Sequence, residues 1–195
     1  MIRFCWLPKA ARKGWSWHDI YQVNKADMKT LTTEMAAAMI HHEEVFRYWK
    51  QQKQSSRLPA RADIDPCGFR KVLPTISLID VLEPEPQNNP LAFRQRLAGT
   101  ELYSAYGTEI TGKRLNEIYN PSQADYWARE LSEIVTTKKP NIGLYPLSAT
   151  GSKGLYLFWL RMPLAKDGFK VDMILGHDVV LGRDEVDLHS GIRAA

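Results

Sequence analysis

Residues 155–164 read LYLFWLRMPL and place apolar side chains on both faces of the strand that they predict. A strand in a sheet with one face in water would alternate apolar and polar residues instead. Both faces of the sheet must therefore be covered by other parts of the chain. We expect short helical turns within 99–118 to cover one face and a long helix over 27–52 to cover the other.

The order of the remaining elements predicts an α+β fold. Asn120 or Ser122 can cap a helix that runs to about Lys138, and Asp167-Gly168 is a hairpin turn signal. The predicted strands cover 76–82, 91–98, 142–149, 155–164 and 169–181. Together these elements indicate a five-stranded antiparallel sheet with helices on one face and the N-terminal helix outside this core.

The stretch 27–52 contains neither glycine nor proline, and its apolar residues recur at the spacing of a heptad seam. The seam consists of Leu31, Met35, Ala38, His42, Val45 and Trp49. Such a seam is typical of a helix that pairs with a second copy, so we predict a homodimer through this interface. A coiled coil this short is marginal alone, so the helix should lean on the sheet as well.

The formal net charge of +4 is concentrated at the N-terminus. Residues 1–26 hold five basic side chains and one acidic one, which leaves 21 of each sign in 27–195. The basic extension could contact an anionic membrane surface or nucleic acid, or it could be a poorly ordered tail. No nucleic-acid partner is expected for the neutral remainder of the chain.

Cysteine usage and the absence of targeting signals favour the cytoplasm. Cys5 and Cys67 lie far apart and suggest neither a disulfide framework nor a zinc site. No signal-peptide core is present, and no apolar run approaches the roughly 20 residues of a membrane helix. The expected organisation is an extension over 1–26, a helix and linker over 27–56, one domain over 57–181 and a polar tail over 182–195.

Three motifs carry a family resemblance: LPARADIDP at 58–66, RLAGT at 96–100 and YGTEITG at 106–112. Together with the Pro163-Leu164 pair, they make residues 57–181 resemble the PAS domains that occur as a lone unit in short bacterial proteins. The resemblance implies the PAS fold. It also implies a sensory or interaction module that cradles a small ligand or dimerises.

The usual PAS chromophores do not fit this sequence. A haem held in the manner of PAS oxygen sensors needs a histidine on the long helix, and none occurs between His42 and His177. A flavin adduct needs a cysteine in the helical turns, and 99–118 contains none. Haem and covalent flavin are therefore disfavoured, and no cofactor is expected, although an unknown small ligand could bind.

Catalytic and metal signals are weak. His41 and His42 are adjacent and project apart on a helix, and Asp63 and Asp65 read as capping residues rather than metal ligands. A strand would place His177 on the opposite face from Asp172 and Asp178, which splits an acid–base trio. We therefore expect no metal site, no catalytic residues and no enzyme.

Polar and aromatic side chains on the elements that border a PAS cavity are the candidate ligand contacts. They are Tyr103, Tyr106, Thr111, Trp127, Tyr145, Phe158 and His177. The alternative is that these residues are core aromatics whose polar tips reach backbone or solvent.

The sequence favours a stand-alone sensory or regulatory module that acts in bacterial signalling through protein contacts, with gating by a small ligand left open. No cyclase signature or dinucleotide-binding glycine motif supplies an output. One alternative is a constitutive homodimeric adaptor without a ligand. The other is a small-molecule enzyme that uses the PAS cavity.

Overall fold

A computed structural model describes residues 32–82, 92–147 and 154–182. Its helices are α1 (Thr33–Gln52), α2 (Thr100–Tyr106), α3 (Leu115–Ile118) and α4 (Pro121–Thr137). Its strands are β1 (Ile76–Leu82), β2 (Ala92–Ala98), β3 (Asn141–Pro146), β4 (Leu155–Leu164) and β5 (Met173–Gly182). None of the helices described is long and apolar enough to cross a membrane. The predicted basic extension and most of the polar tail lie outside these ranges.

The five strands form one antiparallel sheet in the order β2-β1-β5-β4-β3, which confirms the predicted fold class. Neighbouring side chains of β4 show that both faces are covered. Trp159 packs against Trp127 of α4, whereas Phe158 packs against His42 of α1. Because successive side chains of a strand point to opposite faces, α4 and α1 lie on opposite sides of the sheet.

Helix α1 begins at Thr33 rather than at residue 27. The Thr32 hydroxyl accepts a hydrogen bond from the Met35 amide at 3.2 Å, and this N-cap fixes the start of the helix. Residues 27–31, including the candidate interface residue Leu31, lie outside the described part of the chain.

Helix α1 contributes to the core instead of lying outside it. The other five residues of the predicted seam, Met35, Ala38, His42, Val45 and Trp49, are all buried within the same chain. Their apolar members belong to one hydrophobic cluster with Phe158, Leu160 and other residues of the sheet. Burial against the sheet removes these side chains from the surface, so the docked helix does not offer them to a second copy. A homodimer as such stays a prediction.

The LPARADIDP motif forms a strap that joins the end of α1 to the β4–β5 hairpin. The Leu58 amide donates to the Gly168 carbonyl, and the Ala165 amide donates to the Pro59 carbonyl, both at 2.9 Å. The Asp63 carboxylate accepts from the Ala60 amide, and the Asp65 carboxylate caps a 3-10 segment, Pro66–Thr75. The aspartates of this motif are capping residues, as the sequence predicts.

Gly99 in the RLAGT motif is required by close packing. Its amide donates to the Ile76 carbonyl at 2.8 Å. A Cβ at this position would lie 2.5 Å from the Pro74 carbonyl carbon, too close for any other residue. The absence of a side chain at Gly99 therefore allows the start of α2 to pack against the 3-10 segment.

We expect Trp49→Ala to lower the free energy of unfolding by about 3–5 kcal/mol, because it empties a core position. Trp49 is 1% exposed, and its indole N–H donates to the Pro163 carbonyl at 3.0 Å. Ile40→Ala is the matched control on the same helix, since Ile40 is 59% exposed. Urea denaturation measures both variants, and similar midpoints would contradict the docking of α1 on the sheet.

Candidate functional site

An aromatic layer fills the space between the sheet and α2–α4. The Trp127 ring centroid lies 5.2 Å from that of Tyr145 and 5.5 Å from that of Trp159. Tyr126 stacks on Tyr145 at 4.8 Å, and Tyr119 stacks on Trp127 at 6.0 Å. Together with the polar residues described next, these rings form the inner cluster: Ser77, Tyr106, Tyr119, Tyr126, Trp127, Tyr145, Trp159, Arg161 and Asp178.

A glycine makes room for the largest ring of the inner cluster. Gly143 of β3 pairs with Trp159 of β4 in the sheet. A Cβ at position 143 would lie 2.5 Å from the Trp159 ring. The indole therefore lies flat across the neighbouring strand, which brings it under Trp127.

A buried ion pair lies beside these rings. The Arg161 guanidinium of β4 and the Asp178 carboxylate of β5 are 2.6 Å apart, and their side chains are 6% and 1% exposed. The Ser77 hydroxyl of β1 donates to the other Asp178 oxygen at 2.8 Å. The guanidinium carbon also lies 5.4 Å from the Trp127 ring centroid and 5.8 Å from that of Trp159. Charge pairing and cation–π contacts both offset the cost of burying this arginine.

Two phenols close the cluster at its helical side. The hydroxyls of Tyr106, at the end of α2, and Tyr119, after α3, are 2.7 Å apart. Parts of both rings remain exposed, but withdrawal of the hydroxyls from water raises the pKa of both tyrosines above the usual value. Both phenols are therefore neutral at physiological pH, so the pair serves as a donor and an acceptor rather than as a base.

Three buried N–H donors of the inner cluster have no acceptor among the described residues. They are Nε1 of Trp127, Nε1 of Trp159 and Nε of Arg161. Buried polar groups are normally hydrogen-bonded, and an unpaired donor costs about 1–3 kcal/mol. An oxygen of a small molecule or of water would satisfy them. The cluster thus has the chemistry of a binding site for a hydrogen-bond acceptor.

The structure brings together three of the seven candidate ligand contacts: Tyr106, Trp127 and Tyr145. Tyr103 lies on α2 but is 55% exposed. Thr111 lies in an exposed turn, where its hydroxyl accepts a hydrogen bond from the Ala98 amide at 3.2 Å. Phe158 and His177 belong to the opposite face of the sheet, because their neighbours Trp159 and Asp178 occupy the inner one.

Sequence reasoning missed six members of the inner cluster: Arg161, Asp178, Ser77, Tyr119, Tyr126 and Trp159. A signal existed for the first, since Arg161 is the only charged residue of β4, a strand that is otherwise buried along most of its length. A charge in such a strand predicts a buried partner. Its partner was not evident, because Asp178 lies 17 residues away and two positions along β5 from Gly176, the cross-strand partner of Arg161.

Two histidines meet on the opposite face of the sheet. Nδ1 of His42 on α1 and Nδ1 of His177 on β5 are 2.5 Å apart, and the His42 ring also contacts Phe158 edge-on. Burial lowers the pKa of both imidazoles, and cationic neighbours lower it further. His177 and Asp178 point to opposite faces, as predicted, and do not form a carboxylate–histidine pair.

An ion-pair group and a groove lie outside the inner cluster. Arg94 and Arg96 of β2 both reach the Asp80 carboxylate, at 2.7 and 3.4 Å. A groove of about 520 Å³ lies elsewhere, between the ends of β1 and α4 and the β4–β5 hairpin, with Val135 and Val171 in its wall. Within the described ranges, no group of three or more potential ligands could hold a metal ion.

A sequence profile of the PAS domain family matches residues 38–178, which is most of the chain. The chain belongs to the PAS domain family. The matched range begins within α1 and ends at Asp178, so it includes both the inner cluster and the histidine pair. PAS domains are in general sensory and signalling modules. No curated protein matches this sequence.

We expect Asp178→Asn to lower the free energy of unfolding by about 3–5 kcal/mol, because it leaves the buried Arg161 charge without its counterion. Asp125→Asn is the control, since Asp125 is exposed on α4 and surface changes usually stay within about 0.5 kcal/mol. Urea denaturation compares the two variants. An equal loss of unfolding free energy in both variants would mean that the ion pair is not buried.

Proposed function

We propose that this PAS domain is a sensory or regulatory module that acts through contacts with other proteins, and that a small ligand in the inner cluster gates those contacts. Two of the three unpaired donors, Nε1 of Trp127 and Nε of Arg161, carry the proposal. Both donors are buried between the sheet and helices α2–α4. A ligand with an oxygen acceptor would gain hydrogen bonds there that the chain itself leaves unmade.

The two donors belong to different layers of the fold, and this explains how ligand binding could change the structure. Trp127 belongs to α4, whereas Arg161 belongs to the central sheet. A ligand that accepts from both would tie the helical layer to the strands. Its binding would favour whichever arrangement of the two layers satisfies both donors, and this differential affinity is what shifts a conformational population.

A constitutive adaptor without a ligand is the second candidate, and a different observation favours it. Trp127, Trp159 and Leu157 are at most 2% exposed, so side chains already fill much of the inner layer. In that case, ordered water would satisfy the two donors, and the module would act through its surface alone.

Native mass spectrometry of freshly purified protein distinguishes the two candidates. We expect the wild type to carry a small molecule that is lost in Trp127→Phe, a variant that keeps an aromatic ring and removes the N–H donor. Trp49→Phe is the control, because it removes an indole N–H on the opposite side of the sheet. The control should retain the ligand.

A wild-type protein that shows only its own mass would contradict ligand gating and leave the adaptor. Loss of the ligand in both variants would indicate general loosening rather than recognition by Trp127. The same spectra report whether the protein is a homodimer, which is the predicted state.

A further inference from the structure

The face of the sheet away from the inner cluster holds a polar contact that the proposed function does not use. His42 and His177 are 0% and 1% exposed, and they join α1 to β5 through their Nδ1 atoms. The surroundings are apolar: Phe158 packs edge-on against His42, and the cross-strand partners of His177 are Ile76 and Leu160. Apart from the Trp49 indole bonded to Pro163, this side of α1 is held to the sheet mainly by apolar packing.

The bond between the two imidazoles depends on their protonation. A neutral imidazole carries one donor and one acceptor nitrogen, so one Nδ1 can donate to the other. When both rings are protonated, both Nδ1 atoms become donors and the bond is lost. A single proton shared between the rings would keep the bond, but it would bury a charge in an apolar layer.

The charged groups around the pair do not compensate such a charge, and burial outweighs the Phe158 backbone contact that raises the pKa of His42. His41 precedes His42 on α1, and Arg161 of β4 acts through the sheet from the other face; both disfavour a proton on either ring. The Asp178 carboxylate next to His177 points to the inner face and is already paired with Arg161. Protons can therefore be taken up readily only when the two rings separate and meet water.

We propose that the His42–His177 pair is an acid-sensitive latch that releases helix α1 from the sheet. Below the ordinary histidine pKa of about 6.5, the separated rings bind protons and the docked rings do not, so a fall in pH favours the undocked helix. Undocking uncovers the seam residues Met35, Val45 and Trp49 together with the sheet face beneath them. This latch uses no residue of the inner cluster and works whether or not that cluster binds a ligand.

Hydrogen exchange of the full chain tests the latch, with rates corrected for the intrinsic effect of pH. A histidine that stays neutral while α1 is docked and has its ordinary pKa of about 6.5 when α1 is released shifts the opening equilibrium about tenfold between pH 7.5 and 5.5. Two such histidines predict a shift of about 100-fold. Protection of the α1 amides should fall by that factor. Protection of α4 and β4 should change much less.

Asparagine variants assign the effect, because the Asn side-chain amide can occupy the place of Nδ1 without titrating in this range. In His42→Asn and in His177→Asn, protection of the α1 amides should still fall about tenfold between pH 7.5 and 5.5, since one histidine remains. In the double variant, protection of the α1 amides should not fall over this pH range. His41→Gln is the control, because His41 is half-exposed beside Glu44, and it should keep most of the wild-type response.

The latch is wrong if α1 keeps its protection at pH 5.5, or if the double variant retains the fall. It is also wrong if α1, α4 and β4 lose protection together, because that pattern is acid unfolding of the whole domain. If the double variant does not fold, the tenfold response expected of each single variant decides the question.

Discussion

Strands β4 and β5 pair over ten consecutive residues at the interior of the sheet, and both must be buried on both faces. A two-sided apolar sheet cannot exist alone in water, so the remaining elements are arranged as two covers. Helices α2–α4 form one cover and α1 forms the other. The family motifs serve this arrangement: the LPARADIDP strap ties α1 to the β4–β5 hairpin, and Gly99 presses α2 against the 3-10 segment.

The two covers differ in the polar groups that they bury. Among the described residues, the inner side holds an ion pair, a phenol pair and three unpaired N–H donors among stacked rings. The outer side holds a histidine pair within an aliphatic and aromatic layer. Buried polar groups contribute little net stability when they are satisfied and cost much when they are not. Under the two proposals, each side responds to a different event, the inner one to a hydrogen-bond acceptor and the outer one to protons.

Groups on the two faces are carried by the same two strands, β4 and β5. Arg161 and Leu160 are neighbours on β4, with Arg161 in the inner cluster and Leu160 opposite His177 on the outer face. Asp178 and His177 stand in the same relation on β5. A movement that separates α1 from the sheet would thus act on the strands that hold the inner ion pair, which provides a physical connection between the two faces.

The sequence by itself determined the fold class, because its signals are local. The limits of β1 and β4, the Asn120 cap of α4 and the hairpin turn at Gly168 follow from side-chain periodicity, capping and turn chemistry among near neighbours. The need to cover both faces of β4 was also readable from its composition.

Only the tertiary structure decided what each face contains. The pairs Arg161–Asp178 and His42–His177 join residues that are 17 and 135 positions apart, and strand register with helix docking brings them together. The seam of α1 illustrates the same limit, since an apolar stripe shows that a helix face is buried but not against what. The sheet of the same chain buries that stripe as well as a second helix would. The sequence pattern is therefore identical in the two cases.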